Sequence, residues 1–416
     1  MLKSRIELYT PAVFFIVLFL WAIMQWDWAR PVAAAADWMG WRQADTQTIV
    51  NNFKRSGNDI FHPQIDWRGA GPGFVETEFS LYPYLASKIL PTNIVVEWPS
   101  QAISLLAMTL SAVLLFITLQ KEFGAVPALI AGATILANLG VLHLATAIQP
   151  DALCFLLYTA SLCAFYRYIR APNNGWLALS TVLTLLAALV KPPALHLGMI
   201  QFFALLYCAP RLLTRPQIWI SWLIVLAGFS AYIYIAHQNY INFGNTFGIG
   251  FGGDAKWPTP SEFLTPGNYY RIFRLLMTWG LGIPGTIAIG WLIIRKKFTG
   301  WETALLIGLC AHLIVSMRYS SSEWLASHYH VFGVFLGAWC VAHAISGAIS
   351  LPAADNSLWL RYRDGMLVAA IVTLLILSVI NTEKRIHHKG IEDGERFLSL
   401  QTMIKSSIPA NERIVV

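Results

Sequence analysis

Residues 99–119 read PSQAISLLAMTLSAVLLFITL, an apolar stretch without a single Asp, Glu, Lys or Arg. At about 1.5 Å per residue, a helix of this length matches the roughly 30 Å hydrocarbon core of a bilayer. Further apolar runs on both sides of it predict about eleven transmembrane helices. These spans are 10–29, 99–119, 124–146, 151–169, 174–191, 194–210, 217–237, 271–294, 302–317, 328–349 and 362–381. The pattern therefore predicts an all-α polytopic membrane protein.

The overall composition excludes the main soluble classes. Of the 416 residues, 56% are hydrophobic and only 12% are charged, whereas soluble domains carry roughly 25% charged residues. The formal charge of +7 does not indicate a nucleic-acid partner, because Lys and Arg form short clusters between apolar runs. The five cysteines lie in or at the ends of apolar runs, with no CxxC or Cys/His spacing. They predict neither disulfides nor a thiolate metal site.

The basic clusters also predict the orientation of the chain, since short cytoplasmic loops retain Lys and Arg. If the spans alternate, all of the clusters fall on one side of the membrane, which is then the cytoplasm. They are Lys3 and Arg5, Lys121, Arg167 and Arg170, Arg211 and Arg215, Arg295 to Lys297, and Arg361 with Arg363. The N-terminus is accordingly predicted to be cytoplasmic and the C-terminus to be on the outer side, the periplasm of a bacterium.

One transmembrane domain, residues 1–381, is predicted to contain a long first outer loop at 30–98. Helical periodicity near 43–55 and several Trp residues indicate a folded loop with helices at the membrane interface. The remaining segment, 382–416, is polar and ends in an apolar stretch typical of the start of a strand. It is interpreted as a short outer tail, either the beginning of a longer soluble domain or a truncated reading frame.

Two acidic groups lie in the first outer loop. Asp45 follows Arg42 and could take a proton or bind a divalent metal ion, although capping of the helix that follows explains it equally well. Glu78 stands among Phe79, Leu81 and Tyr82. A carboxylate among aromatic groups usually has a partner or a metal ion, while the alternative is a solvated loop.

Three further polar groups fall at predicted outer ends of later spans. Asp151 follows a proline and could serve simply as a helix cap. Lys191 could bind phosphate or only extend towards the headgroups. His328, Tyr329 and His330 begin the tenth span, and the two histidines are spaced too closely to share a helical face. The gathering of all five groups on one side predicts a charged outer cavity.

Several of these strings resemble the glycosyltransferase C superfamily of membrane glycosyltransferases. In the first loop they are Trp41-Arg42-Gln43-Ala44-Asp45-Thr46, Asn52-Phe53, Pro63 to Gly69 and Glu78 to Tyr84; later landmarks are Gln149 to Leu153, Val190 to Ala194, and His328-Tyr329-His330. Similar proteins include bacterial aminoarabinose transferases, lipopolysaccharide-core sugar transferases and protein O-mannosyltransferases. The resemblance covers residues 5–380 in architecture and is most specific in the first loop.

The resemblance implies an inverting transfer of a sugar from a polyprenyl phosphate to a glycan, lipid or protein acceptor at the periplasmic face of the bacterial inner membrane. It implies that Asp45, Asp151 and Glu78 are the catalytic acids and that Asp45 and Asp151 hold any divalent metal ion. The implied substrate-binding residues are Arg42, Arg68, Tyr82, Lys191, His328, Tyr329 and His330. Relatives often carry Lys-Pro-Pro directly after the loop acid, where this chain has Phe79-Ser80-Leu81; Arg42 or Arg68 would then substitute in phosphate binding.

Three alternatives remain open at this point. A transporter or lipid flippase needs ionisable residues near the bilayer midplane, broken helices and usually repeated halves, none of which the sequence shows convincingly. A polysaccharide polymerase or ligase usually carries its large outer loop later in the chain. The third is a non-catalytic membrane subunit, which an Asp45→Asn change with no effect on product would favour.

Overall fold

The computed structural model describes residues 2–29, 39–66, 71–89, 97–249, 257–322 and 327–349, and short helical pieces between 365 and 380. The predicted all-α polytopic membrane fold is confirmed. The helices are α1 (Leu2–Ala29), α2 (Gly40–Ser56), α3 (Leu81–Lys88), α4 (Trp98–Phe123), α5 (Ala125–Leu136), α6 (Leu139–Thr146), α7 (Asp151–Arg170), α8 (Asn174–Val190), α9 (His196–Cys208), α10 (Pro216–Phe243), α11 (Pro260–Leu264), α12 (Pro266–Leu275), α13 (Gly282–Ile294), α14 (Gly300–Val315), α15 (Met317–Ser320) and α16 (Gly333–Ile349).

Within the described residues, four helical stretches are long and apolar enough to span a membrane alone, and counting each of two bent pairs as one span gives six. Four shorter apolar helices accompany them. The number eleven therefore stays a prediction. Of the predicted span 362–381, only short helical pieces between 365 and 380 are described, and the tail 382–416 lies outside the described residues.

Two spans that the sequence analysis drew as continuous are bent. The axis changes by 61° between α5 and α6, where Asn138 caps α6 and donates a hydrogen bond to the Gly280 carbonyl at 2.8 Å. The second bend, 110°, separates the α12 segment from α13 at Gly282, whose φ of +68° favours glycine. Hydropathy alone could not show the first bend, because α5 and α6 are both apolar.

The core of the bundle is one apolar cluster shared by most of the helices. Helix α7 packs between α4 and α8, and α9 packs on α14. In the first loop, α2 packs on α3, and α3 packs on the start of α4. The loop is thereby placed against the ends of α7 and α8.

A two-stranded parallel sheet fastens the first loop to the end of α10. It pairs β1 (Val75–Glu76) with β2 (Asn245–Thr246). The buried Glu76 carboxylate accepts hydrogen bonds from Thr246 and from the His237 ring, the latter at 3.2 Å. Because β1 ends one residue before Thr77 and two before Glu78, this sheet helps to fix the position of the Glu78 carboxylate.

Candidate active site

The charged side chains of four separate segments meet above the ends of α7 and α8. Arg42, in the first turns of α2, forms an ion pair with Glu78 from the loop before α3. Lys191, just after α8, lies 3.0 Å from the Asp151 carboxylate at the start of α7 and 3.7 Å from the Glu78 carboxylate. The cluster therefore contains two cations and two carboxylates, linked in the order Arg42, Glu78, Lys191, Asp151.

Two residues of the late His-Tyr-His string join this cluster. The His328 ring nitrogen Nε2 lies 3.7 Å from Asp151 Oδ1, and the Lys191 ammonium lies 5.9 Å from the centre of the Tyr329 ring. Both residues belong to a short 3₁₀ helix, Ser327–Phe332, that precedes α16. The structure thus brings together six of the residues that the sequence analysis proposed.

Backbone contacts explain why Glu78 reaches this position. The Phe79 N–H donates to the Leu189 carbonyl at 2.9 Å, near the end of α8 and close to Lys191. One residue earlier in the loop, the Thr77 carbonyl accepts a hydrogen bond from the Tyr232 hydroxyl at 2.8 Å. Paired backbone groups on both sides of Glu78 hold the loop in one conformation.

A small open cavity lies beside the cluster. Arg42 and Glu78 line it on one side, and Asp45 lies one helical turn along α2 from Arg42. The aromatic side chains of Phe79 and Phe247 form an apolar part of its lining. Asp45 is only partly buried, so its carboxyl group is open to a molecule entering the cavity.

The two first-loop acids differ in their ionisation. Partial burial raises the pKa of the Asp45 carboxyl above 3.8. The positive charge of Arg42 lowers this pKa, but by less than burial raises it. Burial would also raise the pKa of Glu78, but the charges of Arg42 and Lys191 outweigh it and lower that pKa to about 2. Glu78 therefore stays ionised at neutral pH, while Asp45 is the acid better suited to exchange a proton.

The capping interpretations of the two aspartates are wrong. Helix α2 begins at Gly40, so Asp45 lies in its second turn rather than before it. Asp151 is the first residue of α7 and not its cap, and its side chain points to Lys191. A carboxylate in the first turn is also favoured by the helix dipole.

Two other predicted substrate-binding residues, Tyr82 and His330, lie outside this cluster. The fully buried Tyr82 hydroxyl donates to the Ser100 carbonyl at 2.7 Å, which suits a packing role between α3 and α4. His330 is buried, and its Nε2–H donates to the Ser320 carbonyl at 2.8 Å. Arg68 lies outside the described residues.

The sequence analysis assigned no individual role to Gln43 or Gln149. The Gln43 side-chain oxygen accepts a hydrogen bond from the Ile148 N–H at 2.8 Å, which ties α2 to the turn before Asp151. The Gln149 amide is buried and has no hydrogen-bond partner among the described residues. The only sequence signal for Gln43 and Gln149 was that each lies in one of the strings that carry the resemblance. The sequence does not show which distant groups these side chains contact.

The predicted metal ion finds little support in the donor set. Among the residues that the structure describes, no group of three or more His, Cys, Asp or Glu side chains could hold a metal ion. Asp151 already binds the Lys191 ammonium, whose charge would repel a cation. A metal ion held by Asp45 and Asp151 stays a prediction.

Known proteins are similar to this chain both in sequence profile and in the arrangement of their helices. Residues 81–235 match the profile of the family described as dolichyl-phosphate-mannose-protein mannosyltransferase. Crystal structures of ArnT from Cupriavidus metallidurans are similar over nearly the whole chain, at 14% sequence identity. The chain therefore shares the fold of ArnT.

The two ArnT structures differ in their ligand. The structure in the apo state has a TM-score of 0.56 and covers 92% of this chain and 76% of that chain. The structure bound to undecaprenyl phosphate has a TM-score of 0.61, with 97% and 82% covered. No curated protein sequence matches the chain. The predicted resemblance to the glycosyltransferase C superfamily is confirmed, and the matched family segment includes both Asp151 and Lys191.

Proposed function

We propose that this protein transfers a sugar from a polyprenyl-phosphate-linked donor to an acceptor at the periplasmic face of a bacterial inner membrane. The observation that carries the proposal is the cavity lined by Asp45 and Arg42. The ammonium group of Lys191 lies 3.7 Å from the carboxylate of Glu78, which also lines this cavity. Similarity to ArnT bound to undecaprenyl phosphate supports a polyprenyl phosphate as the carrier.

The transfer requires a base and a way to stabilise the leaving phosphate. Asp45 takes the proton of the acceptor group, whose electron pair then attacks the anomeric carbon. The bond from that carbon to the phosphate oxygen breaks, and its electrons remain on the polyprenyl phosphate. Arg42 and Lys191 stabilise this charge. A single displacement of this kind inverts the anomeric centre.

In this proposal Glu78 and Asp151 are positioning residues. Glu78 remains ionised at neutral pH and so has no proton to donate to a leaving group. Its carboxylate instead orients the Arg42 guanidinium, and Asp151 holds the buried Lys191 ammonium. Arg42 still has further N–H donors for a phosphate oxygen, because a guanidinium carries five.

The late string contributes one wall of the donor site in this proposal. His328 and Tyr329 lie against Asp151 and Lys191, respectively, and so close the site behind these two residues. The acceptor class, whether glycan, lipid or protein, and the type of sugar are open in the proposal. No step of the transfer uses a metal ion.

One alternative function gains an observation from the fold. The two bent helix pairs are of the kind that transporters use at their binding sites. A transporter or flippase would make no glycosylated product, so an assay of transfer separates it from the proposal.

The test is sugar transfer from radiolabelled polyprenyl-phosphate donors, and from nucleotide sugars as a comparison, in membranes that contain the chain. We expect transfer only from the lipid-linked donor and a loss of about 100-fold or more in Asp45→Asn, because the base is removed. Asp59→Asn is the matched control, since Asp59 is an exposed acid of the same loop. Equal transfer by wild type and Asp45→Asn would contradict the role of Asp45.

A further inference from the structure

A second polar cavity lies outside the proposed active site, between α11, α12 and α15. It is open to solvent and shares no lining residue with the Asp45 cavity. Its walls carry three arginines and one carboxylate; the residues are Glu262, Asn268, Arg271, Arg274, Arg318, Ser321 and Ser322. The arginines give this lining a net positive charge.

The helices place the arginines together. Arg271 and Arg274 stand three residues apart on α12 and therefore share a face of that helix. Arg318 lies on α15, which packs against both α11 and α12. The Asn268 side chain donates to the Glu262 carbonyl at 2.9 Å and so ties α12 to α11.

The single carboxylate is engaged locally. Glu262 Oε2 accepts hydrogen bonds from the Thr259 N–H at 2.6 Å and from its hydroxyl at 3.2 Å, which closes the capping box at the start of α11. Within the described part of the chain, neither Arg271 nor Arg318 forms an ion pair. Guanidinium groups in this state favour a phosphate or a carboxylate, because two oxygens of either anion can accept a pair of parallel N–H hydrogen bonds.

The surroundings of the cavity are apolar. Trp257 is 72% exposed, Leu264 82% and Tyr270 68%, and they flank the arginines along the chain. On α12 itself, Ile272 and Leu275 face the protein, while Tyr269, Tyr270 and Phe273 are exposed. Exposed aromatic side chains alternating with arginines are typical of a segment at the level of lipid headgroups.

We propose that this cavity binds the phosphate of an anionic membrane-lipid headgroup, with Arg271 and Arg318 as the principal donors and the exposed aromatic residues against the acyl region. Arginine supplies the paired N–H groups that a phosphate accepts. The exposed aromatic and leucine side chains explain why the ligand is a lipid rather than a free anion. This binding is independent of the sugar transfer proposed above.

The experiment is a titration of the detergent-purified full chain with phosphatidic acid, followed by native mass spectrometry. Phosphatidylcholine of the same chain length is the comparison lipid. We expect the Kd for phosphatidic acid to rise at least about tenfold in Arg271→Gln/Arg318→Gln, because charge-assisted hydrogen bonds are lost. The matched control is Arg211→Gln/Arg215→Gln, which removes two exposed arginines before α10 and should leave this Kd unchanged.

Three results would overturn the proposal. One is the same Kd in the wild type and in Arg271→Gln/Arg318→Gln, and another is an equal rise in the control variant. The third is displacement of the lipid by an equal concentration of inorganic phosphate, which would show that the cavity binds a free anion. Thermal unfolding of each variant establishes that the compared proteins are folded.

Discussion

At the scale of single residues, Asp45 and Glu78 show how position divides two similar acids between two roles. Both line the same cavity, but Glu78 forms an ion pair with Arg42 and has Lys191 nearby, whereas Asp45 is only partly buried. The pKa of Glu78 is lowered to about 2, and that of Asp45 is raised. Of these two acids, only Asp45 combines access to the cavity with a pKa that is raised rather than lowered.

The raised pKa of Asp45 predicts the pH dependence of the reaction. Asp45 must be deprotonated to act as a base, so the transfer rate falls as the pH drops through its pKa, which lies above the 3.8 of an unperturbed aspartate. Glu78 does not titrate in this range. The measurement is transfer rate against pH for the wild type and Asp45→Glu. An acidic limb unchanged in position between them would assign this titration to another group.

The buried Asp151–Lys191 pair predicts a strongly coupled effect on stability. Asp151→Asn leaves a buried ammonium without its 3.0 Å partner, which we expect to cost about 3–5 kcal/mol in the free energy of unfolding. Asp151→Asn/Lys191→Gln removes both charges and should be less destabilised than the single variant. The measurement is thermal unfolding of the detergent-solubilised chain.

The exposed ion pair between Arg170 and Glu122 provides the control for the buried pair. Arg170→Gln breaks the 3.7 Å pair with Glu122, in which Arg170 is 65% exposed, and should change stability by less than about 1 kcal/mol. If the effects of Asp151→Asn and Lys191→Gln simply added, the two side chains would not act as a pair.

At the scale of helices, close backbone contact replaces side-chain packing at one crossing in the bundle. A Cβ atom added at Gly285 of α13 would lie 2.7 Å from the Gly337 Cα atom of α16. Small residues allow such contact between membrane helices. The two helices therefore approach each other more closely there than larger side chains would permit.

Gly285→Ala should accordingly lower the stability by about 1–3 kcal/mol, because α13 and α16 must separate. Gly290→Ala, on the same helix, meets nothing within 4 Å and should be neutral or stabilising through helix propensity. Melting temperatures of the two variants make the comparison. Equal effects at both positions would show that the crossing tolerates a methyl group.

At the scale of the whole molecule, the orientation predicted from Lys and Arg can be tested directly. In a background where the exposed Cys208 and Cys310 are replaced by alanine, Asp59→Cys should react with a membrane-impermeant maleimide in intact cells. Arg215→Cys should react only after the membrane is opened. The reverse pattern would put the Asp45 cavity on the cytoplasmic side and contradict the predicted topology.

Much of the fold could be read from the sequence, because long apolar segments leave few options in a bilayer. The 99–119 stretch lies within α4, and the predicted helix near 43–55 lies within α2. The bends at Asn138 and Gly282 were missed. They depend on contacts such as that between Asn138 and Gly280, residues far apart in the chain.

The sequence by itself determined the membrane class of this protein and the segments that carry its charged groups, since hydropathy and local strings are properties of neighbouring residues. Only the tertiary structure decided which charges meet. Arg42 pairs with Glu78 and Lys191 with Asp151 because packing of α2, α7 and α8 brings together residues 36 and 40 positions apart. The same packing turned Tyr82 and His330 towards backbone carbonyls, because a buried polar group must find a partner wherever the fold provides one.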